Sequence, residues 1–438
     1  MIDLPWYGVL GIAFGSVVLL SFLGLPVFVC FLLINVFGVL IILGPQAFGM
    51  FSNSLVSTLV SEAYIAVPLF LLMGELLARG KAINELYEAL NILLGRTRVR
   101  LYAMCTMLAT ILGTMSGSAM ADAAMMGRSV YPGMVARGYD SRMSTGLILA
   151  GATIAPIIPP SILAVILATL ANESIGEMLI AGLLPGLFLA SLFLGYCYIR
   201  VLLDPSKAPA MEEVEDRTVG ERVVGVLRLF PFSIVIFMVI GLIMLGIASP
   251  TEAAASGVFA TLIVAAWLRT LNLNMLIGAI YGAAKISATI LLIIMSANLF
   301  GQLLAFTGAP FELVRLIEGY DINPWTIFIL LMLISLVSCM FLGQTEYMLI
   351  SVPIFTPIIH AMGFDPIWFW MLYLINITAG GMTPPFGMTM FVFKAAVPGS
   401  TIKEIYLSTL PFIGVIFFGI AVMSMFPQIV LFLPSLMR

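Results

Sequence analysis

Apolar residues come in long unbroken runs along this chain, with the polar ones confined to the gaps; 5–24, 27–43, 229–248, 253–268, 286–305 and 407–433 are the clearest. A helix needs about 20 consecutive apolar residues to cross a hydrocarbon core, and only helices or closed barrels cross it with every backbone polar group paired. The pattern predicts an all-α polytopic membrane protein in a lipid bilayer. The first run follows Asp3 with no basic leader or small-x-small cleavage site, so it reads as a permanent span. One stretch, 204–228, is strongly polar, with Glu212, Glu213, Glu215, Asp216, Arg217 and Arg222, and reads as a linker carrying an interfacial helix.

The pattern also repeats. Pro132, Gly138, Asp140, Pro159 and Pro160 recur at one constant offset as Pro357, Gly363, Asp365, Pro384 and Pro385. Gly74-Glu75-Leu76-Leu77-Ala78 returns as Gly301-Gln302-Leu303-Leu304-Ala305, and Pro26 and Pro185 find counterparts in Pro250 and Pro411. Two repeats follow, 1–203 and 229–438, on either side of the 204–228 linker. Each is expected to hold five spans, a re-entrant helical hairpin (100–137, then 324–361) and a broken helix (143–172, then 366–397). An odd number of spans inverts the second copy relative to the first.

Composition and charge sharpen this picture. At 62% hydrophobic and 9% charged, with mean hydropathy +1.15, the chain cannot hide its apolar residues in a water-soluble core. Lys and Arg collect in cytoplasmic loops. Arg79, Lys81, Arg96, Arg98, Arg100, Arg137 and Arg142 flank the first hairpin, whereas Glu318, Asp321, His360 and Asp365 flank the second. The first hairpin is thus expected to open to the cytoplasm and the second outside. Arg200, Lys207, Arg217, Arg222 and Arg228 put the linker inside, as do Arg269, Lys285, Lys394 and Lys403 for later loops; Arg315 and Arg438 are the exceptions. Both termini come out periplasmic. A net charge of -3, with no basic stripe, argues against nucleic acid. Cys30, Cys105, Cys197 and Cys339 are scattered through apolar segments and read as packing.

Non-helical backbone at membrane depth is tolerated only where it is buried in protein or lines a wet cavity, so interrupted segments point to the site. Two interruptions are hairpin tips, Ser116-Gly117-Ser118 and Gly343-Gln344-Thr345-Glu346. Two are broken helices, 151–161 around Pro159-Pro160 and 376–387 around Pro384-Pro385. A double proline removes two backbone donors and frees the preceding carbonyls, which suit sodium; the half-helix after it turns N–H groups inward, which suit a carboxylate. Serine and threonine hydroxyls there add neutral oxygen ligands. Asp122, one turn past the first tip, either supports an ion site or pairs with Arg128, and Glu346 stands either in the site or in an outer vestibule. Glu75 and His360 read as packing and interfacial residues, Lys285 and Lys394 as snorkelling cations, and Trp6, Trp267, Trp325 and Trp368 as interface anchors.

Segments 116–127, 138–161, 171–189, 341–365 and 376–389 together resemble the large membrane subunit of tripartite ATP-independent periplasmic (TRAP) transporters over essentially the whole chain. The most specific pieces are Ser116-Gly117-Ser118-Ala119-Met120-Ala121-Asp122, Gly138-Tyr139-Asp140, Ile158-Pro159-Pro160-Ser161, Ala181-Gly182-Leu183-Leu184-Pro185-Gly186 and Thr383-Pro384-Pro385-Phe386-Gly387. The resemblance implies a sodium-driven elevator in the bacterial inner membrane that takes up a small organic anion. It also implies two partners, a small four-helix membrane subunit and a periplasmic substrate-binding protein. It maps Na+ sites onto Ser116, Gly117, Ser118, Thr153 and Pro156, and onto Gly343, Thr345, Thr378, Gly380 and Thr383. The candidate substrate contacts at the same tips and breaks are Ser118, Ser161, Thr345, Glu346 and Thr383. The chain departs from the family pattern at Gly343 and Thr378, where acidic residues are usual.

Three other readings compete. A channel or uniporter shares the inverted repeat but does not explain two opposed half-sites. An intramembrane enzyme lacks its motifs: no Gly-x-Gly-Asp accompanies Tyr139-Asp140, and His360 has no serine in a Gly-x-Ser-x-Gly setting. A purely structural scaffold has no need of the breaks. Without a Walker A sequence, ATP is not expected to drive the chain directly.

Overall fold

The computed structural model describes residues 5–44, 48–80, 82–94, 97–209, 219–320 and 322–437, which form helices and their connections with no strand among them. Residues 210–218 of the polar linker, which include Glu212, Glu213, Glu215, Asp216 and Arg217, lie outside the described residues, as do Lys81, Arg96, Asp321 and Arg438.

The helices sort into two groups by the company they keep. One comprises α1 (Trp6–Phe22), α2 (Val27–Gly38), α3 (Phe48–Val60), α4 (Ala66–Arg79) and α5 (Ala82–Leu93), together with α13 (Val219–Ile236), α14 (Leu242–Met244), α15 (Pro250–Trp267), α16 (Leu273–Thr307) and α17 (Ala309–Gly319). Here α4 packs on α15 and α16, α2 and α3 on α16, α5 on α13, and α1 on α17. Residues 219–228, expected as an interfacial helix, are instead the opening turns of α13, continuous with an apolar span.

The other group holds α6 (Arg100–Ser116), α7 (Ala119–Ser129), α8 (Tyr131–Ala136), α9 (Ser141–Ile154), α10 (Ile162–Ala171), α11 (Ile175–Ala181) and α12 (Leu183–Leu203). With them go α18 (Pro324–Phe341), α19 (Gln344–Ala361), α20 (Pro366–Gly380), α21 (Met388–Ala396), α22 (Ile402–Met425) and α23 (Gln428–Ser435). Within it α6 packs on α9 as α18 packs on α20, and α7 on α21 as α19 on α10.

Burial separates helices that face lipid from those that face protein. In α20 every residue from Ile367 to Gly380 is buried, and in α9 every residue from Met143 to Ile154. A helix apolar on all sides belongs at the centre of a bundle, and both broken segments lie there. By contrast α15, α16 and α18 expose Phe259, Ile277, Ile329 and Leu333 outward. Among the described residues six helices are long and apolar enough to cross a membrane: 175–203, 223–244, 250–267, 273–307, 324–341 and 402–425. Shorter apolar helices cover 6–21, 27–42, 162–171 and 366–380, the last two bordering Pro159-Pro160 and Pro384-Pro385.

Trp368 departs from its expected role as an interface anchor. It is 3% exposed, stacks on Phe328 and Phe364, and donates its indole N–H to the Met423 carbonyl at 3.2 Å. All four cysteines are buried and free.

Charged loops gather at one end of the molecule. Lys207 bonds Asp140 at 2.8 Å, Arg137 reaches the Tyr87 hydroxyl, and Arg228 bridges to Glu88. Arg142, Lys207, Ser400 and Glu404 share a cavity of about 530 Å³ there. A separate cavity of about 1050 Å³ lies between α16, α17, α10 and α19 and is bordered by Glu173 and His360. Burial raises the Glu173 carboxyl above its usual range, an effect that His360 partly opposes.

Candidate functional site

Each group-two half brings a hairpin tip against a broken helix. In the first, α6 stops where Gly117 takes φ +58°, a left-handed conformation that suits glycine, and Ser118 restarts the chain as the cap of α7. The Ser118 hydroxyl accepts from the Ala121 amide at 3.4 Å. The Ser116 side chain lies outside the described residues. Opposite the tip, α9 ends at Ile154, Pro156 follows, and the chain passes Pro159-Pro160 before Ser161 caps α10. Ser161 accepts from the Ala164 amide at 3.0 Å and donates to the Pro156 carbonyl. A Cβ on Gly117 would stand 3.6 Å from the Ile162 nitrogen and the Pro160 oxygen, so tip and break are in contact.

The second half repeats this juxtaposition. Gly343 caps α19 in extended conformation, while α20 ends at Gly380 and α21 restarts after Gly387. The Gly387 amide donates across to the Met340 carbonyl at 3.3 Å, and the Thr389 amide to Gly381 at 3.1 Å. Hairpin arm and broken helix approach closely in both halves: a Cβ on Gly113 would lie 2.7 Å from Ala155 Cα, and one on Gly380 would lie 2.6 Å from Cys339 Cβ.

Hydroxyls at the breaks are oriented alike. Thr153 donates to the Ala150 carbonyl at 2.7 Å, Thr378 to Ile375 at 2.8 Å and Thr383 to Ala379 at 2.7 Å. A hydroxyl that spends its proton on its own helix keeps lone pairs for another donor or a hard cation. These are neutral-oxygen positions: among the described residues no cluster of three His, Cys, Asp or Glu could hold a metal ion.

Between the two tips and helices α4 and α16 lies a cavity of about 490 Å³. It collects Gly117, Ser118, Pro156, Gly343, Thr345 and Glu346 from the sequence-predicted set. Thr153, Ser161, Thr378, Gly380 and Thr383 are not on its wall but are buried in the layer behind it. The Ser161 and Thr383 hydroxyls donate to the Pro156 and Ala379 carbonyls at the two breaks. Asp122 is also buried, in the first turn of α7, whereas Arg128 is exposed.

The wall includes residues that the sequence reading missed. Gln344 belonged to a quoted tip, but Thr389, in the first turn of the half-helix after Pro384-Pro385, carried no signal of its own. Glu75, expected only to pack, reaches the cavity while paired with Arg79 at 2.9 Å, one turn along the same helix. Glu346 folds back on its own helix start, where a Cβ on Gly343 would run into its carboxylate. No Lys, Arg or His lines the cavity among the described residues. The N-terminal ends of α7, α10, α19 and α21 all do, and such ends present partial positive charge.

Comparison with known proteins bears on what this cavity serves. The family model described as tripartite ATP-independent periplasmic transporter, DctM component, matches residues 14–429. The ectoine TRAP transporter large permease protein TeaC of Halomonas elongata is 31% identical over 85% of this chain and 86% of its own length. The sialic acid TRAP transporter large permease protein SiaM of Vibrio cholerae is 29% identical over 85% of this chain and 86% of its own. Among solved structures, the YdaH transporter of Alcanivorax borkumensis superposes with TM-score 0.63 at 14% identity, covering 86% of this chain and 88% of that one, a likeness of fold alone.

Proposed function

The chain belongs to the DctM-component family of tripartite ATP-independent periplasmic transporters, a family of transport subunits and not of enzymes, and from this premise we propose that it performs sodium-coupled uptake of a small organic anion by an elevator motion. Large TRAP permeases work with a small membrane subunit and a periplasmic binding protein. This chain acts with both in the bacterial inner membrane. The 1–203 and 229–438 halves act as inverted repeats about the 204–228 linker, and the end that carries Lys207, Arg137 and Arg228 faces the cytoplasm, leaving both termini periplasmic.

The observation that carries the reading is the doubled juxtaposition of tip and break around one cavity. Sodium binds beside Gly117, Thr153 and Pro156 in one half and beside Gly343, Thr378, Gly380 and Thr383 in the other, using carbonyls and hydroxyls. The solute occupies the cavity with its anionic group toward the helix starts, near Ser118 and Thr345. Helices α6–α12 and α18–α23 move as one body against α1–α5 and α13–α17. Each charge carried down a 100 mV potential supplies roughly 2.3 kcal/mol, enough for uptake without ATP.

The test is uptake into proteoliposomes that hold this chain and its small subunit, using labelled carboxylates and sulfonates with and without the binding protein and an inward sodium gradient. Accumulation that needs both supports the mechanism. Flux indifferent to both would replace it with a channel or uniporter.

A further inference from the structure

The two largest cavities share one wall pattern. On the ~490 Å³ cavity at the tips, α4 presents Phe70, Leu71, Gly74, Glu75 and Ala78. On the cavity of about 1050 Å³, α16 presents Ala297, Asn298, Gly301, Gln302 and Ala305. The offset that carries Gly74-Glu75-Leu76-Leu77-Ala78 onto Gly301-Gln302-Leu303-Leu304-Ala305 carries the first five onto the second five, position for position. Helices α10 and α19 run from one cavity to the other. Ile162 and Thr345, near their starts, line the first, whereas Thr169 and Thr356, farther along, line the second. At about 1.5 Å per residue, sliding α10 and α19 along α16 by roughly 10–16 Å would carry the tips from the α4 wall to the matching register of α16.

The walls differ in what they can donate. Glu75, whose carboxylate pairs with Arg79 at 2.9 Å, stands where the second wall has Gln302, and Leu71 stands where it has Asn298. A carboxylate only accepts hydrogen bonds, whereas a primary amide also donates them. The lining residues that α4 and α16 give the first cavity, Ile286 and Ile290 included, therefore offer no side-chain donor. The second cavity has the exposed amide of Gln302 and the hydroxyl of Tyr64. That hydroxyl accepts from the Asn298 amide at 2.8 Å, which leaves its own O–H to donate.

On the transport reading, with α1–α5 and α13–α17 as the fixed body, we propose that the ~1050 Å³ cavity is where the transport site stands when it faces outside, and that Gln302 and Tyr64 are specificity-determining contacts to the anionic solute made only there. The fixed wall then holds the anion by N–H and O–H donors at capture. At the α4 wall those donors are gone and Glu75 takes their place, so the same motion that carries the solute inward weakens its hold. The asymmetry sets the affinity on each face, while the final concentration ratio stays fixed by the driving gradient. Solute that binds the outward state better also draws the carrier toward that state.

The first arm of the test is position. In a background without the native cysteines, Gly301→Cys paired with Leu342→Cys or with Gln344→Cys should be joined in membranes by a short bismaleimide, because the slide brings the second tip to where Pro353 now meets Gly301. If neither pair joins in protein that still performs sodium-driven uptake, the assignment of the outer cavity is overturned and transport stands. The second arm is uptake of labelled succinate, gluconate and taurine into proteoliposomes with the small subunit, the binding protein and a sodium gradient. For each probe that wild type accumulates, Gln302→Leu, Gln302→Glu and Tyr64→Phe should slow uptake about tenfold, the loss expected for one hydrogen bond to a charged group. Gln302→Asn keeps the donor and should retain most of the rate, with melting temperatures as the folding control. Gln302→Leu and Tyr64→Phe within twofold of wild type would overturn the proposal, as would Gln302→Asn as slow as Gln302→Leu, which makes the position structural. No sodium-dependent uptake of any probe by wild type would count against the transport reading itself.

Discussion

Single atoms decide how the tips and breaks fit. Where a Cβ on Gly380 would fall 2.6 Å from Cys339 Cβ, Gly380→Ala must push two packed helices apart. Overpacking of this kind costs about 1–3 kcal/mol. The melting temperature of the purified chain should fall accordingly, and Cys339→Gly in the same background should restore part of it; an unchanged melting point would mean the approach is looser than the structure has it. Thr153 and Thr378 make a different test, because each is 1% exposed and donates its proton to its own helix. Replacing either by valine keeps the shape and removes the oxygen. If these oxygens bind sodium, Thr153→Val and Thr378→Val should each weaken the apparent sodium affinity by about tenfold, shrinking the stabilisation by saturating sodium by roughly 1.4 kcal/mol. Thr→Ser should not. Melting curves in NaCl against KCl decide, and a loss equal in both salts would make the hydroxyls structural.

Elements were legible in the sequence where the backbone lacks something. Double prolines and the Ser116-Gly117-Ser118 tip announce themselves because donors are missing or a left-handed residue is required, and the double proline stands twice, at Pro159-Pro160 and Pro384-Pro385. Helix lengths were less legible. In the first half Pro68 stands in the opening turn of α4, which separates it from α3, whereas 273–307 contains no proline and runs as the single helix α16. The role of Glu75 was half legible, since Arg79 follows at the i,i+4 spacing of an ion pair. The backward turn of Glu346 was not, because it depends on α19 starting at Gln344. The linker's first turn offers a test at this scale. Asp204 caps the turn Pro205–Lys207, accepting from the Ser206 amide at 3.1 Å and hydroxyl at 2.6 Å. These bonds, with Lys207 and Arg200 nearby, hold its carboxyl below the usual range. A depressed folded pKa stabilises the turn fully above the ordinary carboxylate value and is lost as pH falls through the depressed one. Protection of the Ser206 amide from hydrogen exchange, relative to Asp204→Asn, should therefore persist through mildly acid pH and vanish only in strong acid. A difference that disappears already near neutrality would contradict this.

At the scale of the whole molecule the question is whether the two helix groups move past each other. They meet where α4 and α5 pass α6, where α10 passes α4 and α16, and where α19 passes α16 and α17. A Cβ on Gly301 of α16 would stand 3.6 Å from Pro353 Cβ of α19. That separation falls within the ~3.5–4.5 Å range between Cβ atoms joined by a disulfide. Gly301→Cys with Pro353→Cys, in a background without the native cysteines, should therefore cross-link on mild oxidation with little displacement of either helix. An elevator requires α19 to slide along α16, so the cross-link should reduce sodium-driven uptake in proteoliposomes by about tenfold or more, with recovery on adding reductant. Either single cysteine should leave uptake insensitive to oxidant, which separates the tether from the substitutions. Solute binding should survive in the oxidised protein, because the ~490 Å³ cavity is already formed in this conformation. Full uptake by quantitatively cross-linked protein would mean that access alternates by local opening of the tips at Gly117 and Gly343, with the two groups fixed; loss of both binding and uptake would mean that the tether had distorted the site itself.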